Sequence, residues 1–362
     1  MLIRTYSLRF VTPAFLGNAE QAGQWRTPPI KALLRQWWRV AFAADQRGAI
    51  NEAAIGAMRA AEGALFGVAA DSEGASRKSQ VRIRLGRWDY GRPTPWGGAD
   101  SERVEHAEVK NRDGRLAPIG PMLYLGYGPL VFARGQTSFK AGAPIQADES
   151  AALSVALPSG AEAARLDAAL WLMHHYGSLG GRSRNGWGSF SLQPAGPDTP
   201  ALAGPLDELL TTPWQDALKH DWPHAIGRDA AGPLIWQTEP LGDWKAVMRR
   251  LAELKIGLRT QFRFTTGPGA SQVEDRHWLS HPVTNHNVAA WKTPGKGEFR
   301  LPNSLRFKVR ADRDGMLRGV IFHVPCLPPP QFKPDRQAIV AVWQQVHGFL
   351  DQPAQALKRI TA

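Results

Sequence analysis

Near the start of the chain Tyr6, Leu8 and Phe10 alternate with Thr5, Ser7 and Arg9, the two-residue rhythm of a half-buried strand over about Leu2 to Val11. A Gly-containing loop then leads to Pro28 and Pro29. Proline suits the first turn of a helix, where its missing N–H has no partner to lose. From there Ile30, Leu33, Leu34, Trp37 and Ala41 recur at intervals of three and four, which predicts a helix to about Ala44. The pattern continues with an Ala-rich helix (Glu52 to Phe66), a strand (Gln80 to Trp88), strands at Ile119 to Tyr127 and Ala151 to Leu157, an amphipathic helix (Ala161 to Tyr176), and a strand at Trp187 to Leu192. Between Tyr90 and Leu116 glycine, proline and charge replace periodicity, the composition of a functional insertion or a mobile loop.

Gly196 to Pro205, GPDTPALAGP, has the composition of a linker. Beyond it the pattern predicts a short helix (Leu206 to Leu218), a long helix (Asp243 to Phe264), an irregular stretch (His277 to Phe299) and a hairpin. The hairpin strands are Ser304 to Ala311 and Leu317 to Val324, turning at Asp314 and Gly315. The Pro328 to Pro330 run ends the last of these strands, and Asp335 to Leu350 forms a closing helix. The first half reads as βαββαβ with insertions, and the second repeats it in shorter form. The expected class is therefore α+β, two tandem ferredoxin-like (RRM-like) domains with insertions, residues 1–195 and 206–362.

At 362 residues the chain suits two domains rather than one. No run approaches the roughly 18 to 20 apolar residues that span a bilayer, so no membrane partner is expected. The N-terminus lacks the long apolar stretch and small-residue cleavage site of a secretion signal. The one cysteine, Cys326, excludes an intramolecular disulfide and any cysteine-built zinc site, and accords with a cytoplasmic protein. Charge narrows the function. Lys and Arg exceed Asp and Glu by 12, with 23 basic and 17 acidic groups in residues 1–200 and 21 and 15 in 201–362. The excess is spread over both halves instead of lying in a tail, and points to a polyanionic partner such as nucleic acid.

Three segments carry candidate chemistry. In PPIKALLRQWWRVAF (Pro28 to Phe42), Lys31, Arg35 and Arg39 recur every fourth residue as one basic stripe, with Trp38 at its border. Such a stripe, rising about 6 Å per step, suits successive backbone phosphates, and a flanking Trp suits stacking. The ordinary alternative is a solvated face whose Arg stems cover apolar surface. In GSLGGRSRNGWGS (Gly177 to Ser189) five glycines let backbone amides approach a phosphate, Arg182 and Arg184 add charge, and no carboxylate intervenes. The loop lacks the Lys-Ser or Lys-Thr of a nucleotide P-loop and follows a helix instead of a strand, so ATP and NAD are not expected. The third segment echoes the first: Lys255, Arg259 and Arg263 repeat the spacing, with Phe262 at the place of Trp38.

Histidines offer less. His277 and His281 in RHWLSHPVTNH stand four apart, as metal ligands on a helix do, yet Pro282 and the missing Glu of a zinc-protease helix argue against that, and no metal or cofactor is expected. A loop histidine such as His281 is the alternative candidate, a general acid or base for metal-independent RNA cleavage. His174 and His175 end a helix, where a cationic imidazole is favoured without any further role.

Together TPAFLGNAEQ (Thr12 to Gln21), PPIKALLRQWWR (Pro28 to Arg39) and GSLGGRSRNGWGS resemble the RAMP superfamily of CRISPR-associated proteins. Within it the first-subunit family of type III-B (Cmr) RNA-guided effector complexes is the most similar; LPNSLRFKV (Leu301 to Val309) adds a match in the second half. The resemblance implies two ferredoxin-like domains and an RNA-binding subunit without a catalytic centre in an antiviral ribonucleoprotein. It also implies contacts to guide (CRISPR) RNA near its 3′ part, to target RNA, and to neighbouring RAMP subunits. Carried over by motif, the RNA-binding residues are Lys31, Arg35, Trp38 and Arg39 on the helix and Gly180, Gly181, Arg182, Ser183, Arg184, Asn185, Gly186 and Trp187 in the loop. Lys255 and Arg259 join them by the internal echo. Asn185 and Trp187 depart from the family, whose members often have a basic residue and Phe there, and this lowers the loop's charge. Besides the nuclease, a purely structural cap that touches only protein is the third reading.

Overall fold

The computed structural model describes residues 1–46, 50–69, 76–93, 102–111, 113–133, 135–262, 265, 269–283, 286–293, 297–312 and 314–360. The opening strand β1 (Leu2–Phe10) buries Tyr6, Leu8 and Phe10 completely, as its alternation requires. Its partners are β3 (Ser150–Leu157) on one side and β4 (Phe190–Pro194) on the other, both antiparallel, with Tyr6 opposite Leu153 and Phe10 opposite Phe190. The short β2 (Arg82–Leu85) pairs with β3, so the sheet order is β2-β3-β1-β4. Helices α1 (Thr27–Asp45) and α4 (Ala161–Tyr176) pack on each other over this sheet, and α2 (Glu52–Phe66) lies against α1, its first turn capped by Asn51 Oδ1. Burial of Leu34, Trp37, Leu166, Leu170 and Met173 supplies the drive, about 1.5 to 3 kcal/mol for each large apolar side chain.

The second half repeats the order. Strand β5 (Ile235–Thr238) lies between β7 (Leu317–His323) and β8 (Leu357–Arg359), and β6 (Leu305–Ala311) pairs with β7, giving β6-β7-β5-β8 with every neighbouring pair antiparallel. Helix α5 (Trp244–Thr260) follows β5 and α6 (Arg336–Leu350) follows β7. Asp243 and Asp335 cap these helices through two backbone amides each. Both sheets thus share one plan, a central first strand flanked by the third and fourth, in a mixed α/β chain.

Four sequence expectations shift. Ile119 to Tyr127 is not a strand: only its ends form single bridges, Ile119 with Val104 and Tyr127 with Leu130, and between them lies α3 (Pro121–Gly126) with Pro121 opening it. A proline cannot donate to a ladder but loses nothing in a first helical turn. The strand expected from Gln80 to Trp88 contracts to β2. The strand expected from Trp187 begins at Phe190, because Gly188 at φ 66° still belongs to the turn. The helix expected from Leu206 to Leu218 breaks into a 3-10 turn, a short strand and one helical turn, with Pro213 at the last break.

The apolar interior crosses the linker. One core runs from Tyr6 and Trp37 to Ile235 and Phe322; a second joins Met122, Leu125 and Trp187 to α5 and α6. The linker itself lies against α4, with Leu202 buried, Leu202 O near His175 Nε2 (3.0 Å) and Ala203 O accepting from Trp171 Nε1 (3.2 Å). Residues 94–101 and 112 of the Tyr90 to Leu116 stretch lie outside the described residues; the rest packs down through Val104 and His106.

Candidate nucleic-acid interface

The stripe on α1 forms, but its cations are not free. Arg35 and Arg39 both pair with Glu62 of α2, a carboxylate 4% exposed, with Arg39 Nη2 2.8 Å from Glu62 Oε1. Burial pushes the Glu62 carboxyl up, and Arg39 and then Arg35 more than reverse this, holding it below the usual carboxylate range. Glu62 stands 27 and 23 residues away in sequence, so the absence of acidic residues within the stripe did not reveal it. Lys31 alone stays half-exposed and outside ion pairs among the described residues. Trp38 is also corrected. It is completely buried, packs on Phe42 and Phe66, and donates Nε1–H to Glu162 at 3.1 Å, so no base can reach its face.

The glycine loop is correct in shape and different in purpose. Gly180 at φ 91° has Phe15 O where a Cβ would sit, at 2.6 Å, and a Cβ on Gly188 would fall 1.8 Å from Leu179 O. The glycines admit neighbouring protein backbone rather than a phosphate. The amides of Leu179, Gly181, Asn185 and Gly188 donate to the carbonyls of Gly188, Phe15, Arg182 and Pro13. A Cβ on Gly186, at φ 90°, would meet Met248 Sδ at 2.7 Å. Trp187 is sealed against Phe15 and Trp244, and Asn185 bridges Leu125 O (2.8 Å) and Lys255 Nζ (2.6 Å). The two departures from the family motif therefore face inward, where charge would be costly.

What the loop presents outward is Arg182, at φ 56°, left-handed backbone that a non-glycine residue adopts at a cost of about 1 kcal/mol or more. It is exposed, and among the described residues it has no carboxylate partner. Its Nη2 lies 3.2 Å from where a Gly128 Cβ would stand, and the preceding residue, Tyr127, is 45% exposed. Ser183 and Arg184 are half-buried, and Arg184 Nη1 donates to Asn303 O at 2.9 Å. Burial lowers the pKa of Arg184; Arg182 is exposed over the residue as a whole, yet partial desolvation of its guanidinium, and then the nearby Arg300 charge, lower its pKa too.

The third stripe is corrected as well: Lys255 and Arg259 are interior. Lys255 Nζ lies near the rings of Tyr124 and Phe307, and Arg259 Nη1 donates to Ser280 Oγ at 3.0 Å. Burial lowers both pKa values, that of Lys255 strongly. Arg263 lies outside the described residues. The segment around Val104 to Glu108, together with α3, adjoins this helix, with Glu108 paired to Arg276.

The histidines settle into packing. His277 Nδ1 accepts from Glu274 N–H (2.9 Å), which leaves Nε2–H to donate to His286 Nε2 at 3.0 Å. Donor atoms of Glu274, His277 and His286 lie within 4.8 Å of one another, yet Glu274 already accepts from Thr265 N and Oγ1. Burial lowers the His277 pKa to about 4, so it is neutral. His281 is 3% exposed with its ring edge-on to Trp291. His174 and His175, lowered by burial to about 3 and about 4, are neutral and do not serve the helix end. Lys308 does: its Nζ donates to His174 O and Gly177 O at 2.7 Å and to Phe190 O at 3.0 Å.

The sequence reasoning missed Arg306 and Lys308. In Leu305–Ala311 their positions alternate with Leu305, Phe307 and Val309, so cations and apolar groups occupy opposite faces, and both faces are covered. The signal was the strict alternation of LRFKVR; its nearness to the loop, through the Asn185–Phe307 bridge, exists only in space. Arg306 is 7% exposed and lies over the Trp37 ring; with the Gln36 amide oxygen facing it, Oε1 accepts from Nη1 and Nη2 at 2.5 and 2.7 Å.

No helix of the described residues is long and apolar enough to cross a membrane. No family model and no curated protein matches the sequence. Solved structures do. Cmr1 from Pyrococcus furiosus, apo form, is similar at 16% identity over 91% of this chain and 90% of that one, with a TM-score of 0.43. A chain of the type III-B Cmr-beta complex bound to cognate target RNA is 12% identical with a TM-score of 0.47. Another, with AMPPnP and single-stranded DNA present, is 10% identical with a TM-score of 0.45; each match covers 96% of this chain and 99% of that one.

Proposed function

We propose that this chain is an RNA-binding subunit of a type III-B (Cmr) CRISPR effector complex, built from two tandem ferredoxin-like domains and without a catalytic centre of its own. It contacts guide RNA near its 3′ part and target RNA, beside neighbouring RAMP subunits, in cytoplasmic antiviral defence. Three motifs in family order support this reading, as does the shared strand plan of the two sheets. One observation carries it at the level of residues: Arg182 stands exposed on a left-handed turn against Gly128, next in sequence to the exposed Tyr127, with no carboxylate partner among the described residues. A guanidinium next to an exposed aromatic face is a sequence-tolerant grip on a single strand, the cation on phosphate and the ring under a base. Such a grip suits an RNA whose sequence varies from guide to guide.

The test is binding of the purified chain to a short single-stranded RNA across a salt series. Arg182→Ala with Tyr127→Ala weakens binding, and loss of one phosphate contact lowers the slope of log affinity against log salt by about 0.7. Affinity and slope equal to those of the unaltered chain contradict the reading. Incubating the chain with RNA in EDTA leaves the RNA intact; a cut product contradicts the non-catalytic part.

A further inference from the structure

Arg184 and Arg306 pose a problem that the surface grip does not explain. They come from distant segments, the glycine loop and β6, brought together where Phe307 N donates to Arg184 O at 3.1 Å. Both line a small cavity with Gln36, Ser178 and Ser183, and both line a second cavity of about 130 Å³ walled by Trp278, Trp343 and Cys326. The two guanidiniums form the partition. Among the described residues neither has a carboxylate within ion-pair distance, although Asp221 stands on the wall of the larger cavity.

The groups around them are polar and under-used. Arg306 Nε and Ser178 Oγ are buried without a hydrogen-bond partner. Ser304 Oγ, also on the larger cavity's wall, is 2.9 Å from His323 Nε2, whose Nδ1 is 2.9 Å from His347 Nε2, so this hydroxyl is held in place. Burial, and then the nearby Arg184 charge, bring the Arg306 pKa down to about 9. A pair of like charges in a low-dielectric interior is unfavourable unless an anion joins them. Planar guanidinium forks match the oxygens of a phosphate. The volume selects a small guest, because sites for drug-sized ligands run to roughly 300 to 1,000 Å³. The same small volume selects an end over a continuous strand, since a backbone that enters must also leave.

We propose that Arg184 and Arg306 form an enclosed site for a phosphate group, either the terminal phosphate of an RNA strand or a free phosphate ion. The assignment of RNA as a source rests on the RNA-binding reading; the site itself does not. In the larger cavity Arg184 Nη and the unpartnered Arg306 Nε take the phosphate oxygens, and Ser304, on the same wall, offers a hydroxyl.

The experiment follows the thermal midpoint of the full chain in inorganic phosphate against chloride of equal ionic strength. The midpoint rises in phosphate for the unaltered chain and for Lys140→Ala, an exposed lysine outside the site, and the rise is lost in Arg184→Ala and in Arg306→Gln. Arg184→Ala serves if Arg306→Gln fails to fold, because Arg184 is only half-buried and donates to a single loop carbonyl, Asn303 O. No rise in the unaltered chain, or an equal rise in Arg184→Ala, overturns the site. A second arm compares one RNA sequence ending in a phosphate or a hydroxyl. Tighter binding of the phosphate form, lost in Arg184→Ala, names the strand end as the source. Equal binding leaves the free ion. A phosphate-dependent rise with RNA affinity indifferent to Arg182→Ala sinks the RNA reading alone; the reverse pattern sinks this site alone.

Discussion

Two sets of cations live in opposite surroundings. In one, Arg4 pairs with Asp167, Arg35 and Arg39 with Glu62, Arg165 with Asp45 and Glu162, and in the second half Arg276 with Glu108 and Arg359 with Asp229. In the other, buried Arg259, Arg306 and Lys308 and half-buried Lys255 are held by carbonyls, an amide, hydroxyls and aromatic rings. Both sets count alike in the net charge, so charge alone hides this difference. A cation met by a carboxylate is neutralised for any outside anion. One met only by neutral dipoles keeps its field, and where a cavity reaches it that field is available. Charge spacing on a helix or strand therefore defines a face, while the element packed over that face decides what the charge does.

The largest effect tests whether the interior cations are structural. Lys308 Nζ gathers the carbonyls at the end of α4 and of the following turn, joining β6 to the first half. Lys308→Ala leaves those acceptors and a void behind, and should cost about 3 kcal/mol or more by denaturant unfolding. A loss below about 1 kcal/mol would mean that these carbonyls find other donors and that the contrast between the two sets of cations is not energetic.

Glu62→Gln probes the paired side. The carboxylate is buried but both arginines are more than a third exposed, so solvent screening reduces the loss to about 1 to 2 kcal/mol. The pH dependence has a definite sign. Because the folded-state pKa of Glu62 lies below its unfolded value, the pairing stabilises above the ordinary carboxylate range. That contribution is lost as pH falls through the folded pKa. Unfolding midpoints from pH 7 to pH 3 should fall more steeply in the unaltered chain than in Glu62→Gln; parallel curves would remove Glu62 from the account.

Much of this fold was legible because local chemistry and tertiary packing agree. The alternation at Tyr6, Leu8 and Phe10, the prolines before α1 and the Asp caps of α5 and α6 all act within a few residues of themselves. The site was half legible. The turn around Arg182 follows from its glycines, but their reason, close approach of Phe15 and Leu179 backbone, is not written nearby. Glu62 lies a helix away from the arginines it binds, and Trp38 met its partner Glu162 over 124 positions of sequence. Arg306 became interesting only when a strand of the second half met the loop of the first.

The smallest expected effect is also the sharpest test of the contrast. Arg35→Ala with Arg39→Ala removes two charges from a helix whose sequence resembles an RNA-binding motif, so a motif-based account requires weaker RNA binding and a shallower salt slope. The structure assigns those charges to Glu62, whose negative charge would be left uncompensated. RNA affinity and slope should therefore stay close to those of the unaltered chain, while Arg182→Ala reduces both. Should the helix variant lose as much slope as the loop variant, the Glu62 pairs must open for RNA. Paired and unpaired cations would then no longer separate structural from binding roles.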